Sequence, residues 1–168
     1  AKLRGATKVL CIGAPESRLG VARSMGADET LDFTTVGDEE RYAWVGQRTG
    51  GRGADVTIEC TGAPPAVTQA MRYTRDAGRV VVVGQYTDHG EIPFNPHLDL
   101  NKKHLDVRGC WGSDYSHFHR AVDMRRSEPG GSLWDAVRIV RYKLPLVNEA
   151  LVEVEAGRVV KALIEPTV

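Results

Sequence analysis

Three apolar runs in this 168-residue sequence end in small residues: Ile12-Gly13-Ala14, Cys60-Thr61-Gly62 and Val83-Gly84-Gln85. Each run reads as a buried β-strand leading into a turn. In a sheet of parallel strands, ligands sit beyond the carboxyl ends. Small residues there let a flat ligand approach the backbone closely. One such glycine is an ordinary strand terminator, but three in register point to a crevice for a cofactor. The G-x-G-x-x-G turn that would cradle phosphates between a strand and a helix does not occur. Gly50-Gly51-Arg52-Gly53 follows a helical pattern and reads as a connector.

Other chemically capable residues carry less. His117 and His119 form an H-x-H pair near a helix start. Residues two apart on a helix point about 200° apart, so one ion cannot readily use both. Cys11, Cys60 and Cys110 lie far apart, each inside an apolar run, and read as small buried hydrophobes. None has metal-ligand or redox spacing, which fits a reducing, cytoplasmic setting. No Ser/His/Asp or Cys/His set with a credible arrangement stands out.

Composition narrows the classes. The hydrophobic fraction is 42% and the charged fraction 26%, ordinary for a globular domain. Basic and acidic residues balance at 22 each, which argues against nucleic-acid or membrane-surface binding driven by bulk charge. No apolar run approaches the roughly 20 residues that span a bilayer, and no signal peptide is visible.

The elements that must position the strand tips follow from periodicity. Ala1 to Gly5 looks like the last turn of a helix closed by glycine. The strand Val9–Ile12 precedes a helix opened by Pro15, marked by Leu19, Ala22 and Met25, and closed by Gly26. Thr30–Phe33 is a weaker strand. A polar helix starts near Asp38 and ends at Gly50-Gly51. The strand Asp55–Cys60 leads to a helix that Pro64 and Pro65 open, that Val67, Ala70, Met71 and Thr74 line, and that Gly78 caps. Arg79–Gly84 is the strongest strand, and its unbroken valines predict burial on both faces. A long connection, Gln85 to Lys103, holds one short helix capped by Asn95-Pro96. The strand Asp106–Trp111 follows. Tyr115, Phe118 and Val122 mark a helix with Ser113 or Asp114 as cap. Glu128–Ser132 reads as a turn, Leu146–Ala156 as a helix ended by Gly157, and Val159–Ile164 as a closing strand. Strands alternating with helices predict an α/β fold, a doubly wound parallel sheet.

These segments together resemble the medium-chain dehydrogenase/reductase family, the zinc-type alcohol dehydrogenases. Lys8 to Gly13, Arg18-Leu19 and Ala22 to Asp28 look like the family's second strand and helix. Gly53 to Gly62 resembles its fourth strand, Gly78 to Gly84 its fifth, Val107 to Gly112 its sixth, and Val160 to Ile164 its closing strand. The resemblance covers nearly the whole chain in order. It implies a Rossmann-type sheet apparently lacking its first strand. In the family's strand order, 3-2-1-4-5-6, a gap would fall between Lys8–Ile12 and Asp55–Cys60. Family members begin with a catalytic domain holding the zinc ligands, so zinc would belong to an N-terminal domain outside this chain. The implied organisation is an incomplete NAD(P)-binding domain over 1–112, and C-terminal helices and a strand over 113–168 that pack on the catalytic domain. The expectation is a fragment, or a piece whose complement lies in another chain.

The resemblance also implies roles. In similar NAD enzymes an acidic residue at the tip of strand two binds the adenosine ribose, but here that position is Gly13. Ser17 and Arg18 follow, and an arginine with a hydroxyl can accept the 2′-phosphate of NADP. A solvated Arg18 is the equal alternative, so NAD versus NADP stays open with a slight tilt to NADP. Thr61 and Gly62 would lie beside ribose and pyrophosphate, and Val83, Gly84 and Gln85 near the nicotinamide. The backbone of Cys110, Trp111 and Gly112 would meet the carboxamide. Lys161 matches a basic position near the pyrophosphate, or is simply solvated. No catalytic residue and no metal ligand is assigned within the chain. The leading expectation is hydride transfer between NAD(P) and an alcohol or carbonyl substrate, with possible homo-oligomerisation through 107–111. The alternative is a non-catalytic nucleotide-binding or interaction module. A methyltransferase-like domain would need a glycine-rich loop after its first strand, which is not found.

Overall fold

The computed structural model describes residues 1–127 and 133–166, so the turn expected at Glu128–Ser132 lies outside the described residues. The chain divides into two compact units, Ala1–Thr35 with Tyr115–Val168, and Val36–Asp114.

In the first unit, β1 (Leu10–Gly13) and β2 (Glu29–Asp32) pair in parallel around α1 (Glu16–Ser24). The Asp28 carboxylate accepts from the Val9 N–H at 2.6 Å and from Lys2 Nζ, which fixes the entry to both strands. The last helical turn expected at the N-terminus is a short 3-10 turn over Lys2–Arg4, closed by Gly5 at φ +86°.

The second unit carries α2 (Asp38–Arg48), β3 (Ala54–Glu59), α3 (Pro64–Tyr73), β4 (Thr74–Val82) and β5 (Asp106–Gly109). The three strands form one parallel sheet in the order β3-β4-β5. Pro64 and Pro65 sit at the start of α3, where the missing N–H leaves nothing unpaired. Asn95 accepts from the His97 and Leu98 N–H groups, capping a wide helical turn over Pro96–Asn101 as expected.

Returning to the first unit, α4 (Tyr115–Arg126), β6 (Ile139–Lys143), α5 (Val147–Glu155) and β7 (Lys161–Glu165) complete the chain. Parallel β6 and β7 form their own two-stranded sheet. The parallel strands fall into three separate sheets, β1-β2, β3-β4-β5 and β6-β7.

Several expectations are corrected. Gly78 does not cap α3. The helix stops at Tyr73, and Gly78 lies inside β4, where a side chain would run into the Arg75 carbonyl at 2.8 Å and the Asp55 carbonyl at 3.1 Å. The valine strand is not buried on both faces. Val80 is fully buried against Ala70 and Met71 of α3, with Val67, Val82 and Leu105 around them. On the opposite face Val56 and Ile58 of β3 are 52% and 55% exposed, because α3 covers only one side of this sheet. The strand expected to reach Trp111 ends at Gly109. β6 was not expected, although Ile139-Val140-Arg141-Tyr142 carries the β-branched and aromatic residues of a strand.

The cysteines are corrected too. Cys60 and Cys110 are exposed and Cys11 is half-buried. Cys60 and Cys110 each stand one residue past a strand end, where the chain has left the sheet. Burial pushes the Cys11 thiol up, which lowers its thiolate fraction. Iodoacetamide at neutral pH is therefore expected to alkylate Cys110 well before Cys11, a difference that peptide mass spectrometry over a time course reads directly. Equal rates at the two sites would sink the assignment.

Candidate functional site at the carboxyl ends of β3, β4 and β5

The register places Glu59, Val82 and Gly109 side by side at the last rung of the three-stranded sheet. The next residues remain in step: the Val83 N–H donates to the Glu59 carbonyl and the Cys110 N–H to the Val82 carbonyl, both at 2.9 Å. Thr61-Gly62, Val83-Gly84-Gln85 and Cys110-Trp111-Gly112 thus emerge together at one end of the sheet. The expected trio of tips is corrected here: Ile12-Gly13-Ala14 ends a strand of a separate sheet, and Cys110-Trp111-Gly112 stands next to the β4 tip instead.

The β3 and β4 tips are in direct contact. A Cβ on Gly62 would stand 2.7 Å from the Gly84 carbonyl oxygen, and one on Gly84 would stand 2.6 Å from the Thr61 nitrogen. Only residues without side chains let the two turns close on each other in this way.

Beneath them lies Glu59, 3% exposed and not expected as a site residue. Its Oε1 accepts from the Thr61 N–H (2.5 Å), the Thr61 hydroxyl (2.7 Å) and the Gly62 N–H (3.0 Å), and its Oε2 accepts from the Gly84 N–H (3.2 Å). Burial pushes the carboxyl upward, but these four donors outweigh it and hold the group below the usual carboxylate range. The sign for stability follows. A lowered folded-state value stabilises the protein above the unfolded value, about 4.3, and that contribution vanishes as pH falls through the folded value. The stability gap between the wild-type chain and Glu59→Gln is therefore expected to narrow on acidification from about pH 5 to pH 3. Urea titrations across that range measure it, and a constant gap would refute the ionised assignment.

On the outer side, Tyr86 and Trp111 stack with ring centroids 5.6 Å apart and planes 20° from parallel, and Trp111 is 76% exposed. The Gln85 side-chain Nε2 is buried without a hydrogen-bond partner. An unpartnered buried donor is costly, on the order of 1–3 kcal/mol. It is the kind of group that an incoming carbonyl satisfies, and this end of the sheet fits a nicotinamide dinucleotide on that ground.

Gly13, Ser17, Arg18 and Lys161 belong to the other unit. Gly13 ends β1 beside Asp32 of β2, and its carbonyl accepts from the Phe33 N–H. Ser17 and Arg18 are exposed in the first turn of α1, and one Arg18 Nη lies 3.4 Å from the Val154 carbonyl. Lys161 opens β7 opposite Ile139, on a different sheet from Gly13.

A cavity of about 360 Å³ lies at the amino ends of β3 and β4, lined by Tyr42, Arg52, Arg72, Arg75 and Lys103 among others. Arg72 pairs with Glu39, Arg75 with Asp55, and Lys103 donates to the Met71 and Arg72 carbonyls at the end of α3. This is the end of a parallel sheet that ligands do not use. Among the described residues, no group of three or more His, Cys, Asp or Glu side chains is placed to hold a metal ion. Zinc therefore does not fit the described side chains. His119 instead lies 3.1 Å from Asp123, one turn on along α4. No helix among the described residues is long and apolar enough to cross a membrane.

Parallel strands, helical crossovers and small residues gathered at one sheet end define an α/β protein of Rossmann type. The family model for zinc-binding dehydrogenases matches residues 1–126. The chain belongs to that family. It is 32% identical to 5-exo-hydroxycamphor dehydrogenase of Pseudomonas putida over 99% of its own length and 46% of that protein. It is 30% identical to geraniol dehydrogenase of Castellaniella defragrans over 98% of its length and 43% of the relative. An alcohol dehydrogenase crystal structure from Thermotoga maritima superposes with a TM-score of 0.86 at 31% identity, covering 97% of this chain and 44% of that one. The chain thus spans just under half the length of these relatives.

Proposed function

We propose that this chain is the cofactor-facing part of an oxidoreductase that moves a hydride between NAD(P) and an alcohol or carbonyl compound. The observation that carries the reading is the close meeting of the Thr61-Gly62 and Val83-Gly84 strand tips, level with the end of β5, together with the unpartnered Gln85 amide. Two relatives named for oxidising a hydroxycamphor and geraniol support an alcohol substrate. NAD(P), when bound, supplies the hydride chemistry, and the protein supplies orientation. Gln85 would donate to a carbonyl of the nicotinamide end. Thr61, Gly62, Val83 and Gly84 would form the close floor under ribose and ring, with the backbone of Cys110 to Gly112 beside the carboxamide. Gly13 leaves no carboxylate at the β1 tip, and Ser17 with Arg18 would take a 2′-phosphate, so the tilt is to NADP. Lys161 would serve the pyrophosphate, and residues 113–168 the contact with a catalytic domain that carries the zinc. β5 is an edge strand of its sheet, and its free edge would pair two copies through Val107–Trp111.

The test is an intact-mass measurement with NADPH and NADH titrated against the chain, following tryptophan quenching, then turnover on terpene-type alcohols at 340 nm. Tighter binding of NADPH than of NADH, with no turnover by the chain alone and turnover once a zinc-carrying catalytic domain of the family completes it, is the expected result. Binding that gives no turnover even with the catalytic domain supplied would favour the non-catalytic module. No binding of either nucleotide at about 1 mM, the upper end of ordinary enzyme affinities, would overturn the reading. Light scattering on the same material checks the pairing, and a clean monomer counts against it.

A further inference from the structure

We infer that Glu59 is the positioning residue of this site: its buried carboxylate holds the β3 and β4 tips in the one arrangement that a nucleotide meets. The inference rests on the nucleotide-binding reading above.

Glu59 ends β3 and is level with Val82 of β4, so its side chain leaves the sheet where both turns begin. One oxygen gathers the two N–H groups and the hydroxyl of Thr61-Gly62, and the other takes the N–H of Gly84. The Gly84 N–H is shared with the Glu59 backbone carbonyl at 3.0 Å. Thr61 Oγ1 then accepts from the Ala63 N–H at 3.1 Å, which carries the constraint to the start of α3. The carboxylate therefore links two chain segments 25 residues apart. Bonds to an ionised acceptor are about twice as strong as neutral ones.

Two consequences follow. The N–H groups of Thr61, Gly62 and Gly84 are committed inward, so they are not the donors that would hold a phosphate. A fixed negative charge directly below also disfavours a second anion there. This end of the sheet is thereby suited to the ribose and to the nicotinamide, which is neutral when reduced and cationic when oxidised, with the pyrophosphate held by other groups. The carboxylate also cannot be replaced by its amide without loss. In Glu59→Gln an NH₂ group replaces one acceptor oxygen, and a donor then faces donors from Thr61-Gly62 or from Gly84.

The test compares the wild-type chain with Glu59→Gln at neutral pH. NADPH affinity is measured alongside amide exchange and amide proton shifts at Gly62 and Gly84, with Ala70 inside α3 as the control for global opening. The expected result is affinity weaker by roughly ten-fold, the scale of one lost charged hydrogen bond. Faster exchange and altered amide shifts at Gly84 or Gly62 should accompany it, with Ala70 unchanged. A folded variant with wild-type affinity and an unchanged Gly84 amide overturns the inference alone. A wild-type chain that binds neither nucleotide overturns the nucleotide reading and this role with it, while the exchange data still show whether the carboxylate ties the tips. If Glu59→Gln does not fold, Thr61→Val carries the test, because it removes the hydroxyl donor and keeps the carboxylate. It should weaken NADPH binding by about three-fold, the scale of one neutral hydrogen bond, and an unchanged affinity overturns the inference.

Discussion

Gly84→Ala is expected to destabilise the protein by about 3 kcal/mol and to abolish nucleotide binding. The added methyl would stand 2.6 Å from the Thr61 nitrogen and 2.7 Å from the Cys60 carbonyl carbon. Both are backbone atoms of a turn that Glu59 holds from below, so neither can step aside by changing a rotamer. Relief requires the β3 and β4 tips to part, which breaks the Gly84 N–H bond to Glu59 and separates the groups proposed to meet the ribose. Gly109→Ala is the control. Gly109 lies at the same rung, on β5, but nothing stands within 4 Å of its added methyl. That change is expected to fall within about 0.5 kcal/mol of wild type. Urea denaturation of both variants decides the matter, and equal stabilities would show that the tips are not in close contact.

Val80→Ala is expected to cost about 2.5 kcal/mol, the scale of deleting two buried methyl groups and leaving part of their volume empty. Val80 is the only apolar residue at 0% exposure among the described residues, and α3 presses on it through Ala70 and Met71. These are short or helix-fixed side chains with little freedom to fill the gap. The same truncation at Val56, on the uncovered face of β3, should change stability by less than about 0.5 kcal/mol. Similar losses at the two positions would mean that both faces are packed.

How much of this was legible beforehand varies with the physics of each feature. The valine run, the Pro64-Pro65 helix start and the glycine turns are local signals, and they located β4, α3 and the β3 and β4 tips, whereas the Gly13 tip ends a strand of a separate sheet. The packing of the sheet was not local. Val56 and Ile58 look as apolar as Val80, and only the placement of α3 decides which face is covered. Gly78 was misread because a glycine after a helix usually ends it, whereas here it admits two carbonyls beside β4. β6 was missed because Arg141 and Lys143 interrupt its apolar pattern. Those charges pair with Glu165 on β7, which only the register reveals. Glu59 gave a faint signal: an acid between Ile58 and Cys60 at the far end of a run whose other charge, Asp55, lies at its start, with a threonine two residues on. Its four donors come from two segments, and no spacing rule joins Thr61 to Gly84.

The level arrangement of the three strand tips also governs how the chain meets an oxidant. Cys60 and Cys110 follow the first and third strands of one sheet, with Val83 between them. Two strand spacings put their α-carbons roughly 9–10 Å apart, beyond the about 7 Å that a disulfide can bridge. Air oxidation therefore cannot close a loop across this end of the sheet without tearing β4 away from a neighbour. Two exposed thiols that cannot reach each other are left to meet those of other molecules, so ageing of the protein without reductant takes the form of covalent pairs between chains.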